Sequence, residues 1–251
     1  YSGEALLKTF NKFEDNLWRA EEFLDDGHKI KVSIAKSRGQ IEFDFTGSAE
    51  VHRGNLNTNL AIVNSAVIYV LRLMLEEPLP LNEGIMKYVK IKVPEGMLNP
   101  SFYFDPESCP AVVGGNTETS QRIVDTLIKA LKLAACSQGT MNNLIFGNEN
   151  FGFYETIGGG VGAGYGFHGA DAIHQHMTNT RITDPEVIEF RYPVILEEMG
   201  IRKNSCGKGK WHGGDGIIRQ LRFKENVILT LLSQHRKERP YGMDGGEPGV
   251  T

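Results

Sequence analysis

The spacing of apolar residues changes from helical to strand-like near the start of the chain. From Leu6 to Leu24 apolar side chains recur mostly at steps of three and four, which predicts one amphipathic helix over Glu4–Leu24. Apolar and polar residues then alternate over Ile30–Ile34 and again over Ile41–Phe45, on either side of the sequence SRGQ. Because strand side chains point alternately to opposite faces, this pattern predicts a β-hairpin with one buried face.

Two more helices and one strand are predicted before the middle of the chain. Leu60–Leu75 is apolar enough for a buried helix, but it is too short and too polar to cross a bilayer. Alternation over Val89–Val93 predicts a strand. Apolar positions at helical spacing predict a long amphipathic helix over about Glu118–Ala135, with Thr117 or Thr119 as its N-cap.

The second half of the chain is predicted to be mainly strands. Met141–Ile157 predicts two strands around Gly147–Asn150, and Ile217–Phe223 with Val227–Ser233 predicts a second hairpin across the sequence KEN. Helices and hairpins are interspersed without regular strand–helix alternation. The predicted fold class is therefore α+β, with a mixed, mainly antiparallel sheet and packed amphipathic helices. No repeat or low-complexity linker interrupts residues 1–251, so we expect a single domain.

Composition narrows the possible classes of function. The 251 residues carry a formal net charge of -4, which argues against nucleic acid as a partner. The three cysteines are far apart and form no CxxC pair, so we expect free thiols in a reducing, cytoplasmic compartment. No membrane partner is predicted. The chain opens at Tyr1 without a signal peptide, and we interpret it as an internal piece of a longer protein.

Glycine is the one compositional outlier, with 29 residues concentrated in two stretches. The sequence Gly164–Gly169 matches GxGxxG, but no predicted strand ends at its first glycine, and no GxxxxGK[ST] motif occurs. We therefore favour close backbone packing, with a loop that offers N–H groups to an anion as the second interpretation. The stretch Gly207–Gly216, which contains Lys208 and Lys210, is predicted to form tight turns, or alternatively a basic lip for substrate.

The search for catalytic groups and metal ligands gives no assignment. On a strand, His174 and His176 would face one side and could share a metal ion, but no carboxylate is shown to converge on them. We expect one histidine to be a hydrogen-bonded core residue and the other to point outward, so no metal ligand is assigned. Cys136 is predicted to follow a helix C-terminus, where the helix dipole does not lower a thiol pKa. A nucleophilic role for Cys136 is therefore not favoured, and the catalytic residues remain unknown.

Several stretches, in order along the chain, together resemble one family. They are DFTGSAEVHRGNLN, PLNEG, VVGGNTETSQRIVD, SQGTMNN, YETIGGGVGAG, HMTNTRITDPE, RYPV, GGDG and YGMDGGEPG. This set closely resembles the hydantoinase B/5-oxoprolinase family, and the likeness covers nearly the whole chain. It corresponds to a C-terminal portion of a B-type subunit or of the fused eukaryotic 5-oxoprolinase.

The resemblance implies a two-component, ATP-dependent hydrolysis of a cyclic amide such as 5-oxoproline or a hydantoin. An A-type partner subunit or domain binds ATP and phosphorylates the amide oxygen, and the B-type component hydrolyses the activated intermediate. Family B subunits carry upstream histidine-rich segments, so the ligands of a divalent metal would lie outside this chain. Two alternatives stay open: a non-catalytic assembly module of such an oligomeric complex, and a subunit of a related acetone- or acetophenone-type carboxylase.

The motif HMTNTRITDPE divides into a structural half and a chemical half. The sequence Thr183-Asp184-Pro185-Glu186 has the form of a capping box, with Thr183 as the N-cap of a short helix that runs to about Phe190.

The residues that precede this cap form a dense polar row, and we assign them to substrate binding. In particular, Arg181 could grip a carboxylate or a phosphate with two parallel hydrogen bonds. The alternative is that Arg181 pairs with Asp184 or Glu186. The candidate substrate-binding residues, which also include two from the GGNTETSQR motif, are His176, Thr178, Asn179, Arg181, Asn116 and Glu118.

Overall fold

The computed structural model describes residues 1–14, 16–75 and 79–251. The chain divides into two compact units, Tyr1–Lys132 and Leu133–Thr251. Each unit contains helices and sheets, so the α+β fold class is confirmed. The expectation of a single domain stays a prediction.

The first unit is built on a four-stranded sheet in the order β1-β2-β3-β4. Its strands are β1 (Leu17–Phe23), β2 (Lys29–Ser37), β3 (Gln40–Asp44) and β4 (Val89–Lys92). The pairs β1–β2 and β2–β3 are antiparallel, and β3–β4 is parallel. The sheet is therefore mixed and mainly antiparallel, as predicted.

The predicted hairpin is formed by β2 and β3, which pair from Ser33 to Asp44 around a two-residue turn. The turn residues, Arg38 and Gly39, both have positive φ angles, of 49° and 74°. Turns of that handedness match the twist of the strands that they join. The alternating apolar residues of both strands are fully buried, so the predicted inner face is confirmed.

The helix predicted over Glu4–Leu24 is wrong beyond its first turns. Helix α1 covers only Ser2–Phe10, and β1 begins at Leu17. In β1 the apolar residue Trp18 is buried and stacks edge-on against Phe10 and Phe13, while its neighbours in sequence are exposed. A helix would also satisfy the backbone hydrogen bonds, so tertiary contacts decide: as a strand this segment pairs with β2 and buries Trp18 against the two phenylalanines.

The other two helices of this unit, α2 (Leu60–Leu73) and α3 (Ser120–Ala130), lie close to their predicted positions. The side chain of Asn59 caps α2 by accepting the backbone N–H of Ile62 at 3.1 Å. Helix α3 packs against α2, β1 and β2, and it ends five residues earlier than predicted. Thr119 occupies the N-cap position but makes no capping bond, because its hydroxyl donates to the carbonyl of Leu56.

The second unit contains two smaller sheets, both antiparallel. Strands β5 (Asn143–Gly147), β6 (Gly152–Thr156) and β9 (Ile228–Leu232) form the order β6-β5-β9, and β7 (Val194–Arg202) pairs with β8 (Gly216–Phe223). The strands predicted around Gly147–Asn150 are confirmed. A core cluster joins these sheets to the short helix α4 (Pro185–Arg191) and comprises Leu144, Phe146, Phe153, Ile188 and Val194.

The predicted hairpin of β8 with β9 is wrong, although both strands exist. Strand β8 pairs with β7, and β9 pairs with β5 in the other sheet. Alternation along a strand defines its two faces but not the strand beside which it lies, so the patterns of β8 and β9 do not identify their partners. In the part of the chain that is described, no helix has the length and apolar character needed to cross a membrane.

Candidate functional site

The glycine-rich run at 158–169 packs backbone directly against backbone. A Cβ atom on Gly160, Gly162 or Gly169 would lie only 1.8 Å from a backbone carbonyl oxygen, which belongs to another segment for the first two and to the run itself for Gly169. Such contacts require glycine, because only glycine lets two backbones approach so closely. Neighbouring segments are joined by hydrogen bonds such as Ala135 N–H to the carbonyl of Ala163, at 2.8 Å. The favoured interpretation of this run, close backbone packing, is confirmed.

The GxGxxG sequence in this run is a tight turn rather than a dinucleotide site. Gly164 and Phe167 pair across it, and Gly166 has a positive φ of 89°. The dinucleotide fingerprint requires a strand that ends at the first glycine and a helix that begins after the last one. Neither element flanks this turn in the described structure.

Asp215, in the second glycine-rich stretch, holds the turn that follows β7. Asp215 accepts the backbone N–H groups of Asn204, Ser205 and Cys206 at 3.1, 2.9 and 2.9 Å. Partial burial acts to raise the pKa of Asp215, but these hydrogen bonds outweigh it and lower the pKa. The stretch leads into β8 and contains bends at 209–211, so the tight turns predicted within it stay a prediction.

The segment that holds the predicted site begins beside the glycine run and is not a strand. Ile173 pairs with Gly159 through two backbone hydrogen bonds of 2.9 and 3.1 Å. His176 then adopts a left-handed conformation with φ of 55°. The strand geometry that would set His174 and His176 on one face is therefore absent, and the lack of an assigned metal ligand stays a prediction.

Partial burial lowers the pKa of both histidines of this segment, which favours their neutral forms. Burial lowers the pKa of His176 to about 4. Burial also lowers the pKa of His174, against the opposing charge of Glu155. Neutral imidazoles can accept as well as donate a hydrogen bond, but they add no positive charge for an anionic ligand.

A buried ion pair anchors the end of the segment. Glu155 of β6 and Arg219 of β8 are 3% and 1% exposed, and the Nε of Arg219 lies 2.7 Å from Oε1 of Glu155. Both side chains also bind the backbone of Thr183. Oε2 of Glu155 accepts its N–H at 3.1 Å, and Nη2 of Arg219 donates to its carbonyl at 3.1 Å. Three residues before Thr183, the hydroxyl of Thr180 is hydrogen-bonded to the hydroxyl of Thr156 on β6.

This anchor explains why the predicted cap is displaced by one residue. The N-cap of α4 is Asp184, whose Oδ1 accepts the backbone N–H of Glu186 at 2.9 Å, and Pro185 is the first helical residue. The N–H of Thr183 donates to Glu155, so it is not bound by Glu186 as a capping box requires, and its carbonyl accepts from Arg219. The prediction of Thr183 as the N-cap is therefore wrong, whereas the predicted helix is confirmed.

The four predicted site residues of this segment differ in accessibility. Asn179 and Arg181 are exposed, His176 is partly buried and Thr178 is buried. No hydrogen bond or ion pair of Asn179 or Arg181 is found within the described ranges. The alternative in which Arg181 pairs with Asp184 or Glu186 is therefore wrong.

The other two candidates lie in the first unit, on a single π-helical turn, Gly115–Thr119, before α3. Asn116 is exposed, whereas Glu118 is fully buried. π-Helical turns are rare and are often found at functional sites. The substrate-binding role of both residues stays a prediction.

The sequence did not reveal three side-chain groupings that the structure contains. One is the Glu155–Arg219 pair. A second is Cys136, whose Sγ lies 3.7 Å from Nε2 of His235 while Nδ1 of that ring lies 2.5 Å from the carbonyl oxygen of Glu238. A third is a carboxylate with two histidines in the first unit. Each joins residues from distant parts of the sequence, and no local motif signals such a meeting.

The same structure corrects the setting of Cys136. Helix α3 ends at Ala130, so Cys136 is not at a helix C-terminus, and the dipole argument does not apply to it. Cys136 and His235 are both buried, at 7% and 3% exposure. All three cysteines are free thiols. The prediction that Cys136 is not a nucleophile stays untested.

Together these features define an α+β protein in which glycine-packed loops and a buried ion pair hold an exposed, polar segment. Residues 1–251 match the hydantoinase B/oxoprolinase family along their whole length. The protein belongs to that family, and the resemblance stated from its motifs is confirmed.

Comparison with individual proteins gives the same relationship. The chain is 45% identical over 232 residues to 5-oxoprolinase 1 of Arabidopsis thaliana, across 92% of this chain but 18% of that protein. Among solved structures, it resembles an ATP-dependent caprolactamase from Pseudomonas jessenii with a TM-score of 0.75 and 20% identity, covering 91% of this chain and 42% of that one. It also resembles an acetone carboxylase, studied for ATP-dependent acetone carboxylation, with a TM-score of 0.83 and 17% identity, covering 99% and 37%. At these identities the two structures show a shared fold alone. The chain spans about a fifth of the length of the Arabidopsis relative.

Proposed function

We propose that this chain is part of the B-type component of an ATP-dependent cyclic-amide hydrolase that opens a 5-oxoproline or hydantoin ring. Membership of the hydantoinase B/oxoprolinase family supports this class of reaction. ATP would be bound by an A-type partner, which phosphorylates the amide oxygen. The ligands of any divalent metal that takes part would lie outside this chain.

The proposed division of labour follows from the chemistry of amides. An amide carbon is a poor electrophile, and phosphorylation of its oxygen makes that oxygen a good leaving group before water attacks. In the second step water adds to the ring carbon, and the C–N bond breaks as the ring nitrogen takes up a proton. A second water then displaces phosphate from the resulting acyl phosphate and leaves a carboxylate. The B-type component must therefore hold an intermediate that carries negative charge on phosphate and, for 5-oxoproline, on a carboxylate.

The observation that carries the proposal is the exposed guanidinium of Arg181, which has no hydrogen bond or ion pair to the residues that the structure describes, on an anchored segment. An arginine without an internal partner can offer a planar pair of N–H donors to a carboxylate or phosphate. The clamp on Thr183 fixes the backbone two residues later, which limits the entropy lost when a ligand binds. Asn179, which is also exposed, would add a donor and an acceptor, and Thr178 and His176 would form the less exposed side of the row.

The test is made in the complete protein together with its ATP-binding partner or domain. The variants are Arg181→Lys and, as a matched control, Arg191→Lys, which changes another exposed arginine of the same unit. ATP-dependent formation of the ring-opened product is measured with the Tm of each variant. Loss of a charge-assisted, two-pronged contact is worth ~1.5–3 kcal/mol, so kcat/KM of Arg181→Lys should fall by about tenfold to a hundredfold with an unchanged Tm.

Full activity of Arg181→Lys would show that Arg181 does not bind substrate. An equal loss of kcat/KM in Arg191→Lys would show the same. If Arg181→Lys is fully active while other changes in the segment block only association with the partner, the assembly-module alternative is favoured instead.

A further inference from the structure

Two histidines and an aspartate from separate loops meet in the first unit, outside the segment discussed above. Asp26 and His28 belong to the turn between β1 and β2, and His52 follows β3. Nε2 of His52 lies 2.7 Å from Oδ2 of Asp26, and Nδ1 of His28 lies 3.0 Å from Oδ1. One ligand atom from each of the three side chains lies within 4.8 Å of the other two, and the imidazole centroids are 4.5 Å apart.

The turn that carries Asp26 and His28 is held in place by its own backbone. Leu24 and His28 are hydrogen-bonded at 2.8 Å, and the N–H of Gly27 donates to the carbonyl of Leu24 at 2.9 Å. Gly27 has a positive φ of 89°, which suits glycine. Oδ1 of Asp26 also accepts the backbone N–H of His28 at 3.1 Å. The two side chains are therefore presented together before any ligand binds.

His52 is fixed independently by a buried asparagine. Its N–H donates to Oδ1 of Asn57 at 2.7 Å, and its carbonyl accepts from Nδ2 of the same side chain at 2.8 Å. Asn57 is fully buried, and its amide also binds the carbonyl of Ala111 at 3.0 Å. A site assembled from two such rigid segments loses little entropy when an ion joins them.

The donor set indicates which kind of ion would fit. Two imidazole nitrogens and one carboxylate oxygen suit zinc and related divalent transition metals, whereas magnesium and calcium prefer oxygen ligands alone. Burial acts to raise the pKa of Asp26, but the hydrogen bonds from His28 and His52 outweigh it and lower the pKa, so the carboxylate is ionised at pH 7. The side chain of Asp26 is 38% exposed, which leaves room for water at the open side.

We propose that Asp26, His28 and His52 bind a divalent transition-metal ion of the zinc class, with water as the fourth ligand. The ligand atoms are a carboxylate oxygen of Asp26, Nδ1 of His28 and Nε2 of His52. The ion ties the turn between β1 and β2 to the loop after β3, and so it stabilises the first unit. This site is independent of the proposed ring-opening function.

Metal binding would break one hydrogen bond, the one from the N–H of Gly54 to His52. Nδ1 of His52 accepts the N–H of Gly54 at 2.8 Å, so without metal the ring proton resides on Nε2 and is donated to Asp26. When the metal takes the lone pair of Nε2, that proton moves to Nδ1, and the N–H of Gly54 must turn away. Gly54 lies in an exposed bend, so water can replace the lost acceptor of its N–H. One neutral hydrogen bond is thus exchanged for a metal–nitrogen bond.

The experiment compares chelator-treated full-length protein with its variants by calorimetric titration with Zn²⁺ and by the visible absorption of bound Co²⁺. The variants are Asp26→Asn, His28→Gln and His52→Gln. The matched control is His168→Gln combined with His212→Gln, because those rings also lie close together, with centroids 4.1 Å apart in the other unit.

The wild type should bind one equivalent of metal more than each single variant, or each variant should bind that equivalent about a hundredfold or more weakly, since even residues that only support ligands cost 10–100-fold. Zn²⁺ should raise the Tm of the wild type and of the control, but not that of His52→Gln. The proposal is overturned if the three variants bind as many equivalents as the wild type. It is equally overturned if the equivalent is lost only from the control.

Discussion

The two compact units fill their interiors in different ways. In Tyr1–Lys132 the interior consists of side chains on regular elements. Arg122 and Asp125 of α3 are fully buried there. Seven apolar residues of β2, β3 and α2 are also fully buried: Ile30, Val32, Ile34, Ile41, Phe43, Val63 and Val67. The interior of Leu133–Thr251 has three parts: a small apolar cluster, glycine loops packed on one another, and the buried Glu155–Arg219 pair. A side-chain core tolerates repacking, because rotamers can adjust. A backbone-on-backbone interior cannot adjust, because the peptide itself is the contact surface.

The largest effect is expected where one methyl group is added to the backbone-packed interior, at Gly162. Its Cβ would meet the carbonyl oxygen of Ala135 at 1.8 Å and the carbonyl carbon at 2.6 Å. We expect Gly162→Ala to cost more than the ~1–3 kcal/mol typical of an overpacked core and to abolish soluble expression. The matched control is Gly152→Ala in β6, where a Cβ meets nothing within 4 Å. Soluble Gly162→Ala with the wild-type Tm would show that these loops are not rigidly packed.

The corresponding test of the first unit removes a core side chain. Phe43 is fully buried on β3, and truncation of such a phenylalanine usually costs ~3–5 kcal/mol. We expect Phe43→Ala to remain soluble but to show a lower urea midpoint. Phe104→Ala, which changes a fully exposed phenylalanine of the same unit, should unfold like the wild type. Equal effects of the two substitutions would refute the side-chain core.

A pH-dependent effect is expected from the second unit. The folded-state pKa of His176 is about 4, below its ordinary value of 6.5, so at intermediate pH the unfolded chain binds a proton that the folded chain does not. Stability from this residue is therefore present above about pH 6.5 and is lost as the pH falls towards 4. Between pH 7 and pH 5 the loss should be about 2 kcal/mol. Urea unfolding at both values should show this loss in the wild type but not in His176→Gln, and equal pH dependence in both would contradict the prediction.

The smallest effect concerns the helix that follows the site segment. Asp184→Ala removes the N-cap bond to Glu186 and should cost about 1 kcal/mol. In a protein of this size that corresponds to ~2–4 °C in Tm. Thr183→Ala leaves both backbone contacts of Thr183 intact, so its effect should be smaller. The reverse order of the two Tm values would restore Thr183 as the cap.

The comparison also explains which parts of the candidate site could be predicted. The polar row and the short helix after it are local, and their sequence signals were sufficient to predict them. The accessibility of Arg181 and the displacement of the cap depend on Glu155 and Arg219, which lie far away in sequence. The same holds for Asp26 and His52, because neither residue belongs to a recognisable ligand motif.

The sequence by itself determined the α+β class, most strand positions, the faces of β2 and β3, and, through its motifs, the family. These features depend on short-range periodicity or on sequence motifs typical of the family, and both can be seen along one chain. Only the tertiary structure decided that β1 is a strand, that β8 and β9 join different sheets, and that Arg219 closes on Glu155. Those outcomes depend on free-energy differences between alternative pairings of distant segments, and no local pattern of residues encodes such differences.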